Sequence, residues 1–247
     1  MNTPVIGMIV PPAAGEVPPE AYGLFPTGIR FAARGLALRE MAMNDYASAV
    51  RRVRELARAL KEEDGAQAIS LMGTSLSFFR GGTFNDELVE IMQAETGLPA
   101  TTMSNSIRDG LLAVGARRIA VGTAYSDEVN DCLVRFLEQS GFEIAALSGM
   151  GIVGVDDVLR VTPDIVTQLG RRVAEAAEGS IDAVLISCGG LPALHLCDAL
   201  ETDLGVPVIA SSTAGVWRAA QLLGLSAESP ALGALGRVPA DNLSRLI

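Results

Sequence analysis

At 247 residues, 49% of them hydrophobic and 19% charged, the chain is long enough for one large or two small cores and too apolar and regular for a disordered tail. A net charge of −10 and a pI near 4.6 set its overall field against phosphate backbones and anionic lipid, so neither nucleic acid nor a membrane is an expected partner. Three cysteines, an odd number, fit free thiols in a reducing compartment.

The run Val5-Ile6-Gly7-Met8-Ile9-Val10 predicts a first strand. It is too short for the core of a signal peptide and is stopped by Pro11-Pro12, and nothing later approaches the length of a membrane span. A cytoplasmic location is therefore expected. The loop from Pro11 leaves the strand's carboxyl end, where ligands gather in open α/β sheets. Residues 16–43, with Pro18, Pro19 and Pro26, predict irregular chain. Its apolar Leu36, Leu38 and Met41 either cover a site or pack beneath the loop.

Asn44-Asp45 caps a predicted helix to about residue 64. Tyr46, Ala49, Val50, Val53, Leu56, Ala57 and Leu60 share its buried face, and Arg51, Arg52, Arg54 and Arg58 form a solvated one. A strand over 68–72 ends in Gly73-Thr74-Ser75-Leu76, and a loop over 78–82 precedes a helix carrying Leu88, Ile91 and Met92. Thr101, Thr102, Ser104 and Ser106 lead into a helix through Ile107 and Leu111.

The strand over 119–122 ends at Tyr125, before Ser126 as N-cap of a helix with Val129, Leu133 and Phe136. A glycine-interrupted connection over 149–161 holds Val155 and Val158, and Thr162-Pro163 starts the next helix. The β-branched run Val184-Leu185-Ile186 then stops in Ser187-Cys188-Gly189-Gly190, which predicts a tight turn opening into a helix to about residue 203. A strand over 206–210, a turn at Ser211-Ser212-Thr213 and a helix through Trp217 follow. Alternating strands and helices predict parallel sheets with right-handed crossovers.

The chain also repeats itself. Ala68-Ile69-Ser70-Leu71-Met72-Gly73-Thr74-Ser75 matches Ala183-Val184-Leu185-Ile186-Ser187-Cys188-Gly189-Gly190 at an offset of 115 residues, and Ile6-Gly7-Met8 matches Val121-Gly122-Thr123 at the same offset. Gly97-Leu98-Pro99 and Gly205-Val206-Pro207 match at 108, as one shortened connection in the second copy requires. Two pseudo-symmetric α/β domains are expected, 1–115 with 212–247 and 116–211.

Cys132 and Cys197 fall on buried helix faces and read as core. Cys188 alone stands at a strand–turn–helix junction, beside glycine N–H groups and near a helix N-terminus that would lower its pKa. His195, the sole histidine, lies about two helical turns from Cys188. That disfavours a cysteine–histidine hydrolase, and a surface position suits it better. With no second histidine, no Cys-x-x-Cys, no glycine-rich nucleotide loop and only Lys61 as lysine, neither a metal nor a cofactor is expected.

These motifs resemble the arylmalonate decarboxylases of the aspartate/glutamate racemase superfamily. The resemblance rests on 6–15, on Leu71-Met72-Gly73-Thr74-Ser75-Leu76-Ser77-Phe78, on Ala124-Tyr125 and on Ser187-Cys188-Gly189-Gly190-Leu191. It implies two pseudo-symmetric parallel-sheet domains with the active site in the cleft between them. It also implies a cofactor-free loss of CO2 from disubstituted malonates, giving R 2-aryl acids by way of an enediolate. Carried over by position, Cys188 is the proton donor. Thr74, Ser75, Tyr125, Gly189 and Gly190 hold the retained carboxylate, and Pro11, Leu38, Met41, Leu76, Val155 and Val158 form an apolar pocket for the departing one.

Met41 and Val158 differ from the family's usual valine and methionine, which bears on pocket shape. The superfamily's two-base racemases and maleate isomerases carry a cysteine at both pseudo-symmetric positions, and here Cys188 pairs with Gly73. A racemase or isomerase of a small carboxylic acid is the second reading, and a non-catalytic carboxylate binder the third. The expected partner is a small dicarboxylate, and the expected assembly a monomer or small homo-oligomer.

Overall fold

A computed structural model of the chain describes residues 3–40, 43–226 and 229–238. The first half runs β1 (Val5–Val10), α1 (Pro19–Leu24), β2 (Arg30–Gly35), α2 (Met43–Glu62), β3 (Ala68–Leu71), α3 (Thr74–Phe78), α4 (Gly82–Thr96), β4 (Ala100–Thr102) and α5 (Met103–Ala113). The second runs β5 (Arg118–Thr123), α6 (Asp127–Gln139), β6 (Glu143–Gly149), α7 (Val155–Val158), α8 (Pro163–Ala176), β7 (Ala183–Ser187), α9 (Leu196–Leu204), β8 (Val208–Ala210) and α10 (Ser211–Gln221). A 3₁₀ segment, Pro230–Arg237, follows.

Each half builds a four-stranded parallel sheet, in the order β2-β1-β3-β4 and β6-β5-β7-β8. The identical order is the structural counterpart of the 115-residue offset. β1, β3 and β7 are buried at every position, which is why they read as unbroken apolar runs: helices cover both faces of a parallel sheet. Gly97 and Gly205 end α4 and α9 in the left-handed conformation, at φ 66° and 71°, so the shorter offset also marks equivalent helix ends.

Within the stretch expected to be irregular, residues 16–40 carry a helix and a strand. Pro19 takes the first position of α1, where no N–H is needed, and β2 pairs with β1 along its whole length. β2 lies at the sheet edge with only Phe31 buried, so it lacks the apolar run of a central strand. Arg30 and Arg34 bind the Asp64 carbonyl and the Glu63 and Asp64 carboxylates. β6 escapes notice for the same reason, half-buried at the equivalent edge of the second sheet. The Thr101-Thr102 run belongs to β4, and Thr102 then caps α5 by accepting from the Asn105 N–H. Ser211 begins a helix where a turn was expected.

On α2, Val53, Ala57 and Leu60 are buried and Arg54 and Arg58 pair with Glu95. The side chains of Tyr46, Ala49 and Val50 lie outside the description. α5 and α10 tie the halves together. They pack on each other, α5 also touches β7 and β8, and α10 touches β3 and β4. At their contact Arg218 Nε donates to Asp109 at 2.8 Å with both side chains buried, and Arg108 reaches the other Asp109 oxygen at 2.9 Å.

Candidate active site

Four strands aim their carboxyl ends at one cavity of about 560 Å³. Pro11 leaves β1, Thr74, Ser75 and Leu76 follow β3, Tyr125 follows β5, and Cys188, Gly189 and Gly190 follow β7; all line it. Leu38, Val155 and Val158 line it as well. Met41 lies outside the described residues.

Leu38 is brought over the cavity by the chain leaving β2. Its N–H donates to Pro11 O at 2.9 Å, and Ala37 turns with φ 58°, a value a side chain rarely adopts. The next residue crosses to the other half: the Val155 N–H donates to Arg39 O at 3.0 Å, and Glu40 bridges Gly154. Leu38 and Val155 thereby roof the cavity together.

Cys188 is buried between the halves. Its N–H donates to Ser211 Oγ at 3.3 Å. The sulfur faces the backbone amides of Gly190 and Leu191 and the Tyr125 hydroxyl. Tyr125 is itself fully packed, edge-on to Phe78 of the first half at 5.7 Å. Gly189 and Gly190 are needed for close approach. A Cβ on Gly189 would sit 2.8 Å from Met103 Sδ, and one on Gly190 2.9 Å from Val158 Cγ1.

The thiol does not stand at a helix N-terminus. A turn and loop occupy 188–195 and α9 begins only at Leu196. α9 therefore lends no dipole against desolvation, and burial pushes the thiol up to about 11, against the opposing pull of the Gly190 amide, Tyr125 and the Leu191 amide. The expected lowering is thus reversed, and burial holds the thiol in its protonated form.

This has a consequence for stability. A free thiol titrates near 9.0, so the stabilisation from keeping the Cys188 proton is complete below pH 9 and is lost as pH rises through about 11. Melting temperature followed across that window should fall less steeply in Cys188→Ser than in the parent. A displacement of two pKa units corresponds to about 3 kcal/mol at most. Equal slopes in the two proteins would place the proton elsewhere.

The twin position is built differently. Cys188 has φ 155°, in a region where side chains are uncommon, while Gly73 has φ −117° and ψ 97°, which any residue adopts. A Cβ on Gly73 would meet Leu76 Cβ and Pro11 Cγ at 3.4 Å, ordinary contact with two cavity-lining residues. Neither backbone nor packing demands a glycine there.

Several lining residues escaped the sequence reading. Met103 Sδ accepts from the Thr74 hydroxyl at 2.7 Å, and Met72, Leu191 and Glu20 also face the cavity. Met72 and Leu191 stand inside the quoted motifs, which assign them no role. Met103 and Glu20 carry no local signal. Cys132 and Cys197 are buried core residues, with burial raising Cys197 to about 12, and His195 is exposed at the start of α9. Among the described residues no lysine or arginine lines the cavity, and no three His, Cys, Asp or Glu side chains cluster as metal ligands would.

The model of the family described as arylmalonate decarboxylase matches residues 6–236. Arylmalonate decarboxylase of Bordetella bronchiseptica is 45% identical over 235 residues, 95% of this chain and 97% of its own. A maleate isomerase of Nocardia farcinica is 26% identical over 241 residues, 94% of this chain and 95% of its own. Among solved structures, a liganded double variant of arylmalonate decarboxylase, glycine to cysteine and cysteine to serine, superposes with a TM-score of 0.90 at 43% identity, covering 94% of this chain and 98% of that one. The Nocardia farcinica maleate cis-trans isomerase bound to TRIS reaches 0.85 at 19% identity over 95% and 98%, a likeness of fold. The matched motifs surround the cavity between two like-wound sheets, and the chain belongs to the arylmalonate decarboxylase family, enzymes of the carboxy-lyase class on the two-domain racemase-like fold.

Proposed function

We propose that the chain removes CO2 from α-aryl and α-aryl-α-alkyl malonates without a cofactor and releases a 2-aryl acid of R configuration. The observation that carries this reading is a protonated, buried Cys188 in a cavity with one donor-rich wall and one apolar wall. The retained carboxylate lies against the donors: the Gly189 and Gly190 amides, the Tyr125 hydroxyl, and Thr74 and Ser75. The departing one lies against Leu38, Leu76, Val155 and Val158.

Loss of CO2 leaves its bonding electrons on the α-carbon, conjugated with the remaining carboxylate as an enediolate with added charge on its oxygens. Donors aimed there strengthen as that charge grows, so they favour the transition state over the substrate. The departing group passes from anion to neutral gas. An apolar wall opposes its starting state and leaves its product untouched, and a lysine or arginine there would do the reverse. Cys188 Sγ–H then gives its proton to the α-carbon, and the resulting thiolate, a strong base, takes one from water. Each turnover consumes one proton.

The test is incubation with phenylmalonate and methyl-phenylmalonate, following CO2, with and without EDTA. Decarboxylation that EDTA leaves unchanged is expected. No turnover of any arylmalonate, with turnover of maleate or aspartate instead, would move the assignment to the isomerase and racemase branch of the fold.

A further inference from the structure

One buried acid in the cavity has no part in that scheme. Glu20, on α1, lines the cavity and is 4% exposed, whereas Glu16 and Asp156, which also line it, are exposed. Its carboxylate accepts from the Ala193 N–H at 3.3 Å and hydrogen-bonds its own amide and the Ser212 hydroxyl. Burial raises its pKa against those three bonds. A carboxyl in such a place costs desolvation that a neutral side chain would avoid, so stability alone is a poor reason for it.

Its partners are what connect it to the thiol. Ser212 Oγ stands between the Glu20 carboxyl and the Leu191 carbonyl, 3.5 Å away. The Leu191 N–H closes the turn on Cys188 O at 3.2 Å, and Ser211 Oγ accepts the Cys188 N–H. Turn 188–193 is thus held at its start by Ser211, in its middle by Ser212 and at its end by Glu20. α1 packs tightly on the continuation of the loop: a Cβ on Gly23 would lie 2.4 Å from Leu194 Cδ2.

We propose that Glu20 is a positioning residue for Cys188. By binding Ala193 and Ser212 it fixes turn 188–193, so that the Gly190 and Leu191 amides stay aimed at the sulfur and at the negative charge that forms beside it. The proposal rests on Cys188 being the proton donor, and α1 thereby becomes part of the site.

Two readouts test it, one needing no substrate. In Glu20→Ala, kcat for methyl-phenylmalonate should fall about 10–100-fold with KM within about threefold, as expected when reacting groups are displaced by a fraction of an ångström to an ångström. The pH profile of Cys188 alkylation by iodoacetamide should move up by about a unit, because the amides no longer favour the thiolate. Glu20→Gln keeps an acceptor oxygen at the same reach and should recover most of both losses. Glu20→Asp, a methylene short of Ala193, should not.

A folded Glu20→Ala protein with unchanged kcat and unchanged alkylation profile, whatever its melting temperature, overturns the proposal. If Glu20→Ala fails to fold, Ser212→Ala decides: it leaves α1 in place and should lower kcat about 3–10-fold with the same upward drift of the profile, and an unchanged protein overturns the proposal. The alkylation arm still reads the clamp if no arylmalonate is turned over, so failure of the clamp and failure of the decarboxylase reading are distinguishable.

Discussion

Cys188→Ser lowers kcat on methyl-phenylmalonate by about 10²–10⁴-fold, the usual worth of a positioned general acid. KM changes little, because the donors for the retained carboxylate and the apolar wall are intact. The variant folds: a hydroxyl in the same pocket still meets the Gly190 and Leu191 amides and the Tyr125 hydroxyl that surround the sulfur, so no buried polar atom is orphaned. What is lost is acidity, since an alcohol is a far weaker acid than even a thiol at about 11. The small amount of product still formed takes its proton from water that has entered and loses its single hand. Circular dichroism, steady-state rates and chiral chromatography of the residual acid check the three parts. Half the parent rate would show that another group delivers the proton.

Gly73→Cys is expected to convert the single-handed product of the proposed reaction into a racemic one. In the mechanism proposed above, a thiol only at the end of β7 protonates the planar enediolate from one face. The same strand order in both halves puts residue 73 at the matching end of β3, beside the lining residues Met72 and Thr74. Its backbone is open to any residue, and its Cβ has room against Leu76 and Pro11. In the proposed mechanism one cysteine, as thiolate, removes the α-proton of the acid while the other, as thiol, gives its own proton from the opposite face. The variant should erode enantiomeric excess, racemise added R acid and exchange the α-hydrogen for deuterium. A folded variant giving pure single-hand product with no exchange would refute the facing arrangement.

Both experiments act at positions that are legible in the sequence. Cys188 and Gly73 end buried central strands, whose apolar runs are distinct, and the offset between the two copies pairs them directly. The roof and floor of the cavity were less legible. β2 and β6 are edge strands with half-buried, mixed side chains, and such segments have neither the continuous nor the alternating pattern that identifies a strand. The thiol's surroundings were misjudged because Gly189-Gly190 was read as opening a helix, while the chain spends eight residues, 188–195, in turn and loop. Glu20 was invisible for a different reason. Its backbone partner Ala193 is 173 residues away, and a pairing set by the docking of one half on the other leaves no mark on local sequence.

The exchange of α5 and α10 between the halves bears on how the molecule comes to be folded. A chain released at the end of the first copy would have its own sheet, yet Asp109 would keep Arg108 and lack Arg218, and the side of α5 that touches β7 and β8 would face water. The duplicated unit is therefore not an independent folding unit. Its core is completed only when residues about a hundred positions later arrive, which raises contact order and slows the search. During synthesis the first copy waits, partly exposed, for α10 to leave the ribosome. The interface that encloses the reacting groups is then assembled last, and unfolding at either copy opens it.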